Sequence, residues 1–266
     1  MKKILSLLLL LALCLSLSGC GGSPREVQTV ATLVEQDYSL AFRTGDPTAY
    51  YVAAAIEVLN AEGLVDELSV KWFGSRMVDF GKNAKALETL GMPERRSFII
   101  GVDVNSFPMV YITGGQYWGF DIELATAVCE KLNWDLKLQS IEKEDVYIEL
   151  SSGNIDCAWG GIALDPNEVA AGKLAQYGPY LHNDIVIAKR GDAFIENKYM
   201  LSHKALAMCS TTEAMEALQS DTGIMNRLGQ ISRLAGGTTE CFQYLYQGRC
   251  DVILTDTTAI YYFNCH

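Results

Sequence analysis

The sequence is short of positive charge. Its 266 residues include 21 Lys and Arg against 32 Asp and Glu, which gives a net charge of −11 at pH 7. Because phosphate binding needs the opposite balance, we expect no nucleic acid partner. Histidine is also scarce, with three residues, and the eight cysteines form no CxxC pair. The sequence therefore contains no metal-ligand pattern, and we expect neither a metal nor another cofactor.

No apolar run is long enough for a membrane-spanning helix. The first run, Ile4 to Leu17, follows Lys2 and Lys3 and is shorter than the ~20 residues that a bilayer requires, as in an export signal. It ends in Leu17-Ser18-Gly19-Cys20, which resembles a bacterial lipobox. We expect residues 1–19 to be a lipoprotein signal peptide and residues 20–27 to be a lipidated Cys20 with its linker. This would anchor an exported protein to the outer face of the cell membrane.

Six cysteines remain besides Cys14 and Cys20, at positions 129, 157, 209, 241, 250 and 265. Export permits disulfides, and buried cysteines are also common as free thiols. Two alternatives therefore stay open, namely six free thiols or one or two disulfides such as Cys129 with Cys157.

The order of apolar segments predicts an α/β protein. From Ser97 onward, strands and helices alternate in two sets, Phe98 to Trp159 and Ala205 to Thr255, which indicates parallel sheets with covering helices. Before them, Tyr38 to Phe42 reads as a strand, and Asp46 followed by Pro47 reads as a helix start. Two sets joined by single extended segments predict two lobes and a hinge.

Five motifs resemble those of polar-amino-acid (family 3) extracellular solute-binding proteins of ABC transporters, in the family's order. They are Gly119-Phe120-Asp121-Ile-Glu-Leu-Ala125, Gly153-Asn-Ile-Asp156-Cys-Ala-Trp159-Gly-Gly161, Tyr177-Gly-Pro179-Tyr180, Ser210-Thr211-Thr212-Glu213 and Gly248-Arg-Cys-Asp251-Val-Ile-Leu-Thr-Asp256. The resemblance implies a two-lobe periplasmic-binding-protein-like fold of type II that closes on a small polar solute.

A sixth resemblance is out of order. Residues 38–74, which end in Lys71-Trp72-Phe73-Gly74, are similar to the family's C-terminal segment but stand at the front. We expect a circular permutation, and a truncated duplicate is the alternative. The expected domains are lobe one at 43–187 (family C-terminal helices 46–74, connector 75–96, family N-terminal half 97–187) and lobe two at 188–266 plus 28–42, with the hinge strands.

Ligands of open α/β sheets lie beyond the carboxyl ends of the strands, near the amide groups that begin the next helices. This rule selects positions that the resemblance also implies, namely Asp103, Phe107, Trp159, Gly160, Gly161, Ser210, Thr211, Thr212 and Asp256. Each has a structural alternative. Phe107 and Trp159 could form either a wall of the cleft or part of the core. Ser210 to Thr212 could either bind a carboxylate or cap a helix. Asp256 could either bind the ammonium group of a ligand or cap the next helix.

One position departs from the family. The family has Thr-x-x-Arg after the glycine turn, and that arginine clamps the carboxylate of the ligand. Here Asp165-Pro-Asn-Glu168 stands in its place. Another cation could substitute, the ligand could be cationic or lack a carboxylate, or binding could be lost. Asp103, Asp165, Glu168 and Asp256 favour a cationic or neutral amine-bearing ligand.

These observations predict a monomeric substrate-binding lipoprotein that delivers a small polar solute to an ABC permease and is not an enzyme. A dehydratase-like enzyme with Glu168 as its general acid or base is an alternative. A sensory or docking lipoprotein is another, and the sequence does not separate it from a transport protein.

Overall fold

A computed structural model describes residues 25–266. The predicted signal peptide and the lipidated Cys20 lie outside these residues. The strands are β1 (Val27–Arg43), β2 (Ser97–Val102), β3 (Tyr111–Thr113), β4 (Gln116–Trp118), β5 (Asp135–Ser140), β6 (Cys157–Ala158), β7 (Leu174–Arg190), β8 (Leu206–Cys209), β9 (Ile231–Leu234) and β10 (Val252–Asp256). The helices are α1 (Thr48–Ala61), α2 (Leu64–Phe73), α3 (Ala86–Leu90), α4 (Phe120–Leu132), α5 (Val146–Ser152), α6 (Pro166–Ala170), α7 (Thr212–Ser220), α8 (Thr222–Met225), α9 (Gly237–Tyr246) and α10 (Thr257–Cys265). Two 3-10 turns are Lys143–Asp145 and Lys198–Leu201.

Eight of the strands form one mixed sheet, in the order β5-β2-β6-β1-β7-β10-β8-β9. β2 pairs in parallel with β5 and β6 at one end of the sheet, and β8 pairs in parallel with β9 and β10 at the other. Between these parallel groups, β1 and β7 are 17 residues long each and run antiparallel. Each strand is long enough to belong to both ends of the sheet.

The buried side chains form two lobes. One core lies around β2, α1, α2 and α4, and others lie around β8 and β10. The same two strands enter both, because Leu40 and Leu181 pack in the first core while Val27 and Val186 pack in the second. The crossing therefore lies between Val34 and Tyr38 in β1 and between Leu181 and Ile185 in β7, a few residues before the expected lobe boundaries at 42/43 and 187/188.

The front segment completes lobe one. Helices α1 and α2 lie against α4, and the rings of Phe73 and Phe120 are 5.3 Å apart. At the end of β1, the Arg43 guanidinium donates to the Ile155 carbonyl oxygen at 2.6 Å and pairs with the Asp156 carboxylate at 3.3 Å. A circularly permuted chain is expected to pack the helix that begins at Asp46 on the lobe that contains Phe120, and the contacts of α1 with α4 confirm this. The expected cap is also present, because Asp46 accepts hydrogen bonds from the backbone and hydroxyl of Thr48.

One expected strand register is wrong. A circularly permuted chain is expected to place Tyr38 to Phe42 beside Asp184 to Lys189, but these residues pair with Ala175 to Leu181. The reason is the length of the strands, since residues 184–189 pair with the earlier part of β1, Gln28 to Glu35. The β3-β4 hairpin and β9 were not predicted, because their strands are only three or four residues long.

The two ends of the described chain meet. The Asn264 side chain accepts from the Val27 backbone N–H at 2.8 Å and donates to the Val27 carbonyl oxygen at 2.9 Å. All six cysteines between Cys129 and Cys265 are free thiols, so no disulfide links Cys129 with Cys157. Within residues 25–266 no helix has the length and apolar character needed to cross a membrane.

Candidate functional site

A cleft between the lobes consists of three adjoining cavities. Asn105 of lobe one and Thr211 of lobe two line all three. The smallest cavity, about 40 Å³, lies against Asp256, and the two larger ones measure about 350 and 300 Å³. Together they have the size of pockets that enclose small molecules. The cleft is therefore the candidate binding site.

Asp256 ends β10 and lies at the smallest cavity. Its Oδ1 accepts from Asn183 Nδ2 at 2.8 Å, and no other hydrogen bond from residues 25–266 reaches the carboxylate. Asp256 occupies the N-cap position of α10, but its side chain makes no capping hydrogen bond there and so remains available to a ligand. Burial, then repulsion by Glu213, raises the pKa of Asp256 to about 7. A partly buried carboxylate without a cationic partner is suited to bind a cation.

Asn183 holds Asp256 in place and is fully buried. Its Nδ2 also donates to the Tyr38 hydroxyl at 2.8 Å, and its Oδ1 accepts from Thr258 N and Oγ1. Every polar atom of this amide is thereby used, which fixes its orientation. Both hinge strands thus contribute to the position of Asp256, since Tyr38 lies on β1 and Asn183 on β7.

The cleft lining is strongly acidic. Asp103 follows β2, is 7% exposed, and has a pKa raised by burial and by Glu213 and Glu142. The two charged cavities are lined by six carboxylates, which are Asp103, Glu142, Glu144, Glu213, Glu216 and Asp256. Lys143 is the one basic side chain among the described residues that line them. The third cavity is lined by neutral residues. An anionic ligand would meet repulsion here, and a cation would be attracted.

Lys143 forms an ion pair across the cleft. It lies in a 3-10 turn of lobe one and contacts the Glu213 carboxylate in the first turn of α7 in lobe two. Phe107 makes a second link, since its ring lies 4.9 Å from Tyr262 and 5.5 Å from Phe263 of α10. Besides the hinge strands, this ion pair and the aromatic contacts of α10 join the lobes, and the latter also include the rings of Trp72 and Tyr262 at 5.8 Å.

We expect Lys143→Ala to shift the unliganded protein toward a more open arrangement. A partly exposed ion pair contributes up to ~1 kcal/mol, so the ratio of closed to open molecules should fall about two- to fivefold. Small-angle scattering would show this as a larger radius of gyration. Lys173→Ala, which breaks the Lys173–Glu168 pair inside lobe one, is the matched control and should change nothing. Equal radii for both variants would contradict a role of Lys143 in closure.

Trp159 and the two glycines after it support the loop rather than line the cleft. Trp159 is 1% exposed and lies in the core of lobe one. The buried Asp121 carboxylate accepts from Trp159 Nε1, Gly161 N and Tyr180 Oη at 3.0, 2.8 and 2.7 Å. A Cβ on Gly161 would lie 2.6 Å from Ser106 Cβ, so only glycine lets the loop with Asp103 and Phe107 pass this closely. For Trp159 the core alternative therefore applies, and Gly160 is not among the residues that line the three cavities.

The other expected site residues divide into two groups. Asp103, Phe107, Ser210, Thr211, Thr212 and Asp256 line the cleft. Asp165 and Glu168 do not, because Asp165 accepts from Asn167 N and caps α6, while Glu168 faces Lys173 at 3.5 Å. Thr211 also caps α7, so its hydroxyl is already engaged by Ala214 N at 3.3 Å.

Several lining residues were not predicted from the sequence, chiefly Asn105, Lys143, Cys209, Glu213 and Thr238. Glu213 directly follows the Ser210 to Thr212 motif, so its position at a helix start was a usable signal. Lys143 carried no such signal, because only the approach of the two lobes brings it to the cleft.

The raised pKa of Asp256 predicts how stability depends on pH. Its pKa is about 7 in the fold and about 3.9 when unfolded, so the folded chain holds the extra proton between these values. The contribution of Asp256 to the free energy of unfolding is therefore greatest at low pH and is lost as pH rises through about 7. From pH 5.5 to 8 the loss should be about 2 kcal/mol. Denaturant unfolding of the wild type and Asp256→Asn at both pH values would show a smaller fall in the variant; equal falls would contradict the assignment.

A fourth groove lies on the far side of lobe one and includes Trp134, Arg95 and Arg96. Arg95 pairs with Asp135 at 2.9 Å and Arg96 pairs with Asp156 at 2.6 Å. Because both cations are already matched, this groove is a weaker candidate than the cleft.

Two α/β lobes on a pair of crossing strands, with a polar cleft between them, define a protein of the solute-binding class. The chain belongs to the bacterial extracellular solute-binding proteins, family 3, whose model matches residues 98–235, about half of the chain. It is also similar to the arginine-binding extracellular protein ArtP of Bacillus subtilis (strain 168), with 23% identity over 114 residues, 43% of this chain and 44% of that protein. The chain thus matches less than half the length of this curated relative.

Solved structures include two similar proteins. A substrate-binding protein of an ABC uptake transporter from Streptococcus pneumoniae with bound histidine shares 26% identity, with a TM-score of 0.48 and 63% of this chain and 68% of that chain covered. A polar amino acid ABC uptake transporter substrate-binding protein from Streptococcus thermophilus shares 25% identity, with a TM-score of 0.46 and 60% and 61% covered.

Proposed function

We propose that this protein is the substrate-binding lipoprotein of an ABC importer and captures a small cationic, amine-bearing solute between its lobes. Lipid on Cys20 would hold it at the outer face of the cell membrane, where it would deliver the solute to a permease. The observation that carries the choice of solute is the partly buried Asp256 carboxylate, which faces the cleft without a cationic partner in residues 25–266.

The charge of the cleft supports a cation without a dominant carboxylate. Lys143 is the one basic side chain among the described lining residues, and Glu213 already neutralises it. The family's carboxylate-binding arginine has no counterpart there, since Glu168 points to Lys173 instead. The negative charge that would attract a cation comes from Asp103, Glu213 and Asp256, and not from Asp165 or Glu168, which lie outside the cleft.

A further polar group is available to the solute. Thr255 lines the same small cavity as Asp256, and its buried Oγ1 has no hydrogen-bond partner among residues 25–266. A buried hydroxyl without a partner costs about 1–3 kcal/mol, and a solute amine would relieve that cost. Thr255 and Asp256 together form the proposed ammonium site.

We infer binding without turnover. The candidate general acid or base, Glu168, lies outside the cleft beside Lys173. Solute binding needs only the closure of two lobes, which the hinge strands and the Lys143–Glu213 pair support.

We also propose that the chain order is a circular permutation of the family's order. The antiparallel pairing of β1 with β7, the packing of α1 and α2 on α4, and the contact of Val27 with Asn264 support it. The family match begins at residue 98, downstream of this front segment. In this proposal residues 75–96 join the family's two original ends.

A thermal-shift screen of the chain from Gly21 onward tests the function. The panel is arginine, lysine, histidine, putrescine, spermidine, glutamine and glutamate. We expect a cationic member to raise the melting temperature by about 5–10 °C at a hundredfold excess over its Kd, and glutamate to have no effect. Tight binding of glutamate without any binding of a cation would overturn the proposed solute class, and turnover of a bound compound would overturn the non-enzymatic role.

A further inference from the structure

Two cysteines of lobe two have their sulfur atoms in contact at the wall of the cleft. Cys209 is the last residue of β8 and lines two of the three cavities. Cys241 lies on α9, and its Sγ is 3.8 Å from Cys209 Sγ. No step of solute binding described above uses either thiol.

The two thiols differ in exposure and acidity. Cys209 is partly exposed toward the cleft, and Cys241 is fully buried. Hydrogen bonds from Cys241 and from Thr238 Oγ1, which is 3.7 Å away, lower the pKa of Cys209 despite its burial. The same Cys241–Cys209 contact, with burial, raises the pKa of Cys241. An accessible thiol with thiolate character beside a buried protonated one is the arrangement of an attacking and a resolving cysteine.

The other thiols of the described chain lack this arrangement. Burial raises the pKa of Cys129 to about 12 and that of Cys250 to about 11, and it also raises the pKa of Cys157. Cys265 is exposed and stands near the end of the chain, where its nearest acceptors are backbone oxygens and the His266 ring. Among the described thiols, Cys209 is therefore the one best suited to thiol–disulfide exchange.

We propose that Cys209 and Cys241 are a redox-active dithiol, which closes to an intramolecular disulfide by exchange with a small disulfide in the exported compartment. The Cys209 thiolate attacks one sulfur of the small disulfide, forms a mixed disulfide, and releases the first thiol. Cys241 then loses its proton and attacks Cys209 Sγ, which releases the second thiol. Two protein thiols become one disulfide while one small disulfide becomes two thiols, so electrons and protons balance.

Closing the disulfide changes the cleft wall. The sulfur atoms must approach from 3.8 Å to about 2.05 Å, which draws the end of β8 toward the first turns of α9. Cys209, Thr211 and Thr238 line the smallest cavity beside Asp256 and lie at this junction. The disulfide step itself does not depend on which solute the cleft takes.

The test uses the chain from Gly21 onward with Cys265→Ser, treated with excess oxidised glutathione and analysed by intact mass. We expect the mass to fall by two hydrogen atoms without an adduct, and peptide mapping to join Cys209 to Cys241. Cys241→Ser should instead retain one glutathione on Cys209, and Cys209→Ser should neither gain an adduct nor lose hydrogen. Cys250→Ser is the matched control and should behave like the parent.

Stable glutathione adducts on the parent without an internal disulfide would overturn the proposal, and so would an unreactive Cys209 in Cys241→Ser. If a serine variant has a much lower melting temperature than the parent, the rates at which the thiols of the parent are alkylated are measured instead, by timed labelling and peptide mapping. Cys209 must then be labelled at least about tenfold faster than Cys250, since the difference in thiolate character predicts this order; equal rates would overturn the proposal. Because no arm of this test contains a solute, its failure would leave the solute-binding proposal standing.

Discussion

Asp256→Asn should weaken binding of the cationic solute by about 100-fold or more, because removal of one member of a buried charge pair costs about 2–5 kcal/mol. Asparagine keeps the shape of the side chain, and its oxygen still accepts from Asn183 Nδ2. The variant also lacks a partly buried carboxylate whose pKa is raised to about 7, so it should unfold no more easily than the wild type at pH 8. Calorimetric titration at pH 8 and denaturant unfolding measure the two effects separately.

Glu168→Gln is the matched control for this loss. It removes one carboxylate that lies near Lys173 and outside the three cavities, so solute affinity should remain within about twofold, as for other exposed ion pairs. The reverse outcome, in which Glu168→Gln abolishes binding and Asp256→Asn does not, would show that the cleft assignment is wrong.

Removal of residues 25–74 should abolish cooperative folding. This segment supplies β1, which occupies the centre of the sheet, and buried residues of the core of lobe one, such as Leu40, Phe42 and Trp72. Without it β7 loses its longest partner, and Asp156 loses its contact with Arg43. Circular dichroism and thermal melting of the chain from Ser75 onward should show no cooperative transition.

A reordered chain provides the control. It begins at the exposed Met92, continues to His266, and returns through a short Gly-Ser linker to Arg25 and onward to Gly91. The contact of Val27 with Asn264 places the joined ends near each other, so a permutation should preserve both folding and solute binding. Cooperative folding of the truncated chain, with no folding of the reordered one, would instead favour a duplicate remnant.

The local elements were predictable because their signals are local. Gly119 to Ala125 marks the start of α4, and Asp46-Pro47 marks the start of α1. Apolar runs in β2, β8 and β10 likewise revealed the parallel groups of the sheet. Hydrophobic periodicity and capping chemistry depend on neighbours in sequence, which is why these elements could be read from the chain.

The site was only partly predictable because it depends on contacts between distant segments. Trp159 resembled a cleft wall beside two glycines, but the Asp121 carboxylate, 38 residues earlier, holds its indole in the core. Glu168 was expected near the ligand, yet α6 starts at the Asp165 cap and presents Glu168 to Lys173. Asn183 was not identified, since its bonds to Tyr38 and Asp256 span 145 and 73 residues.

The most direct test of the account is a crystal structure of the protein with the cationic solute that shifts its melting temperature most. We predict that the solute lies between the lobes, with its ammonium nitrogen about 2.7–2.9 Å from an Asp256 carboxylate oxygen, the usual range for a charge-assisted hydrogen bond. Electron density for the solute in the groove beside Trp134 and Arg96, with nothing near Asp256, would contradict it.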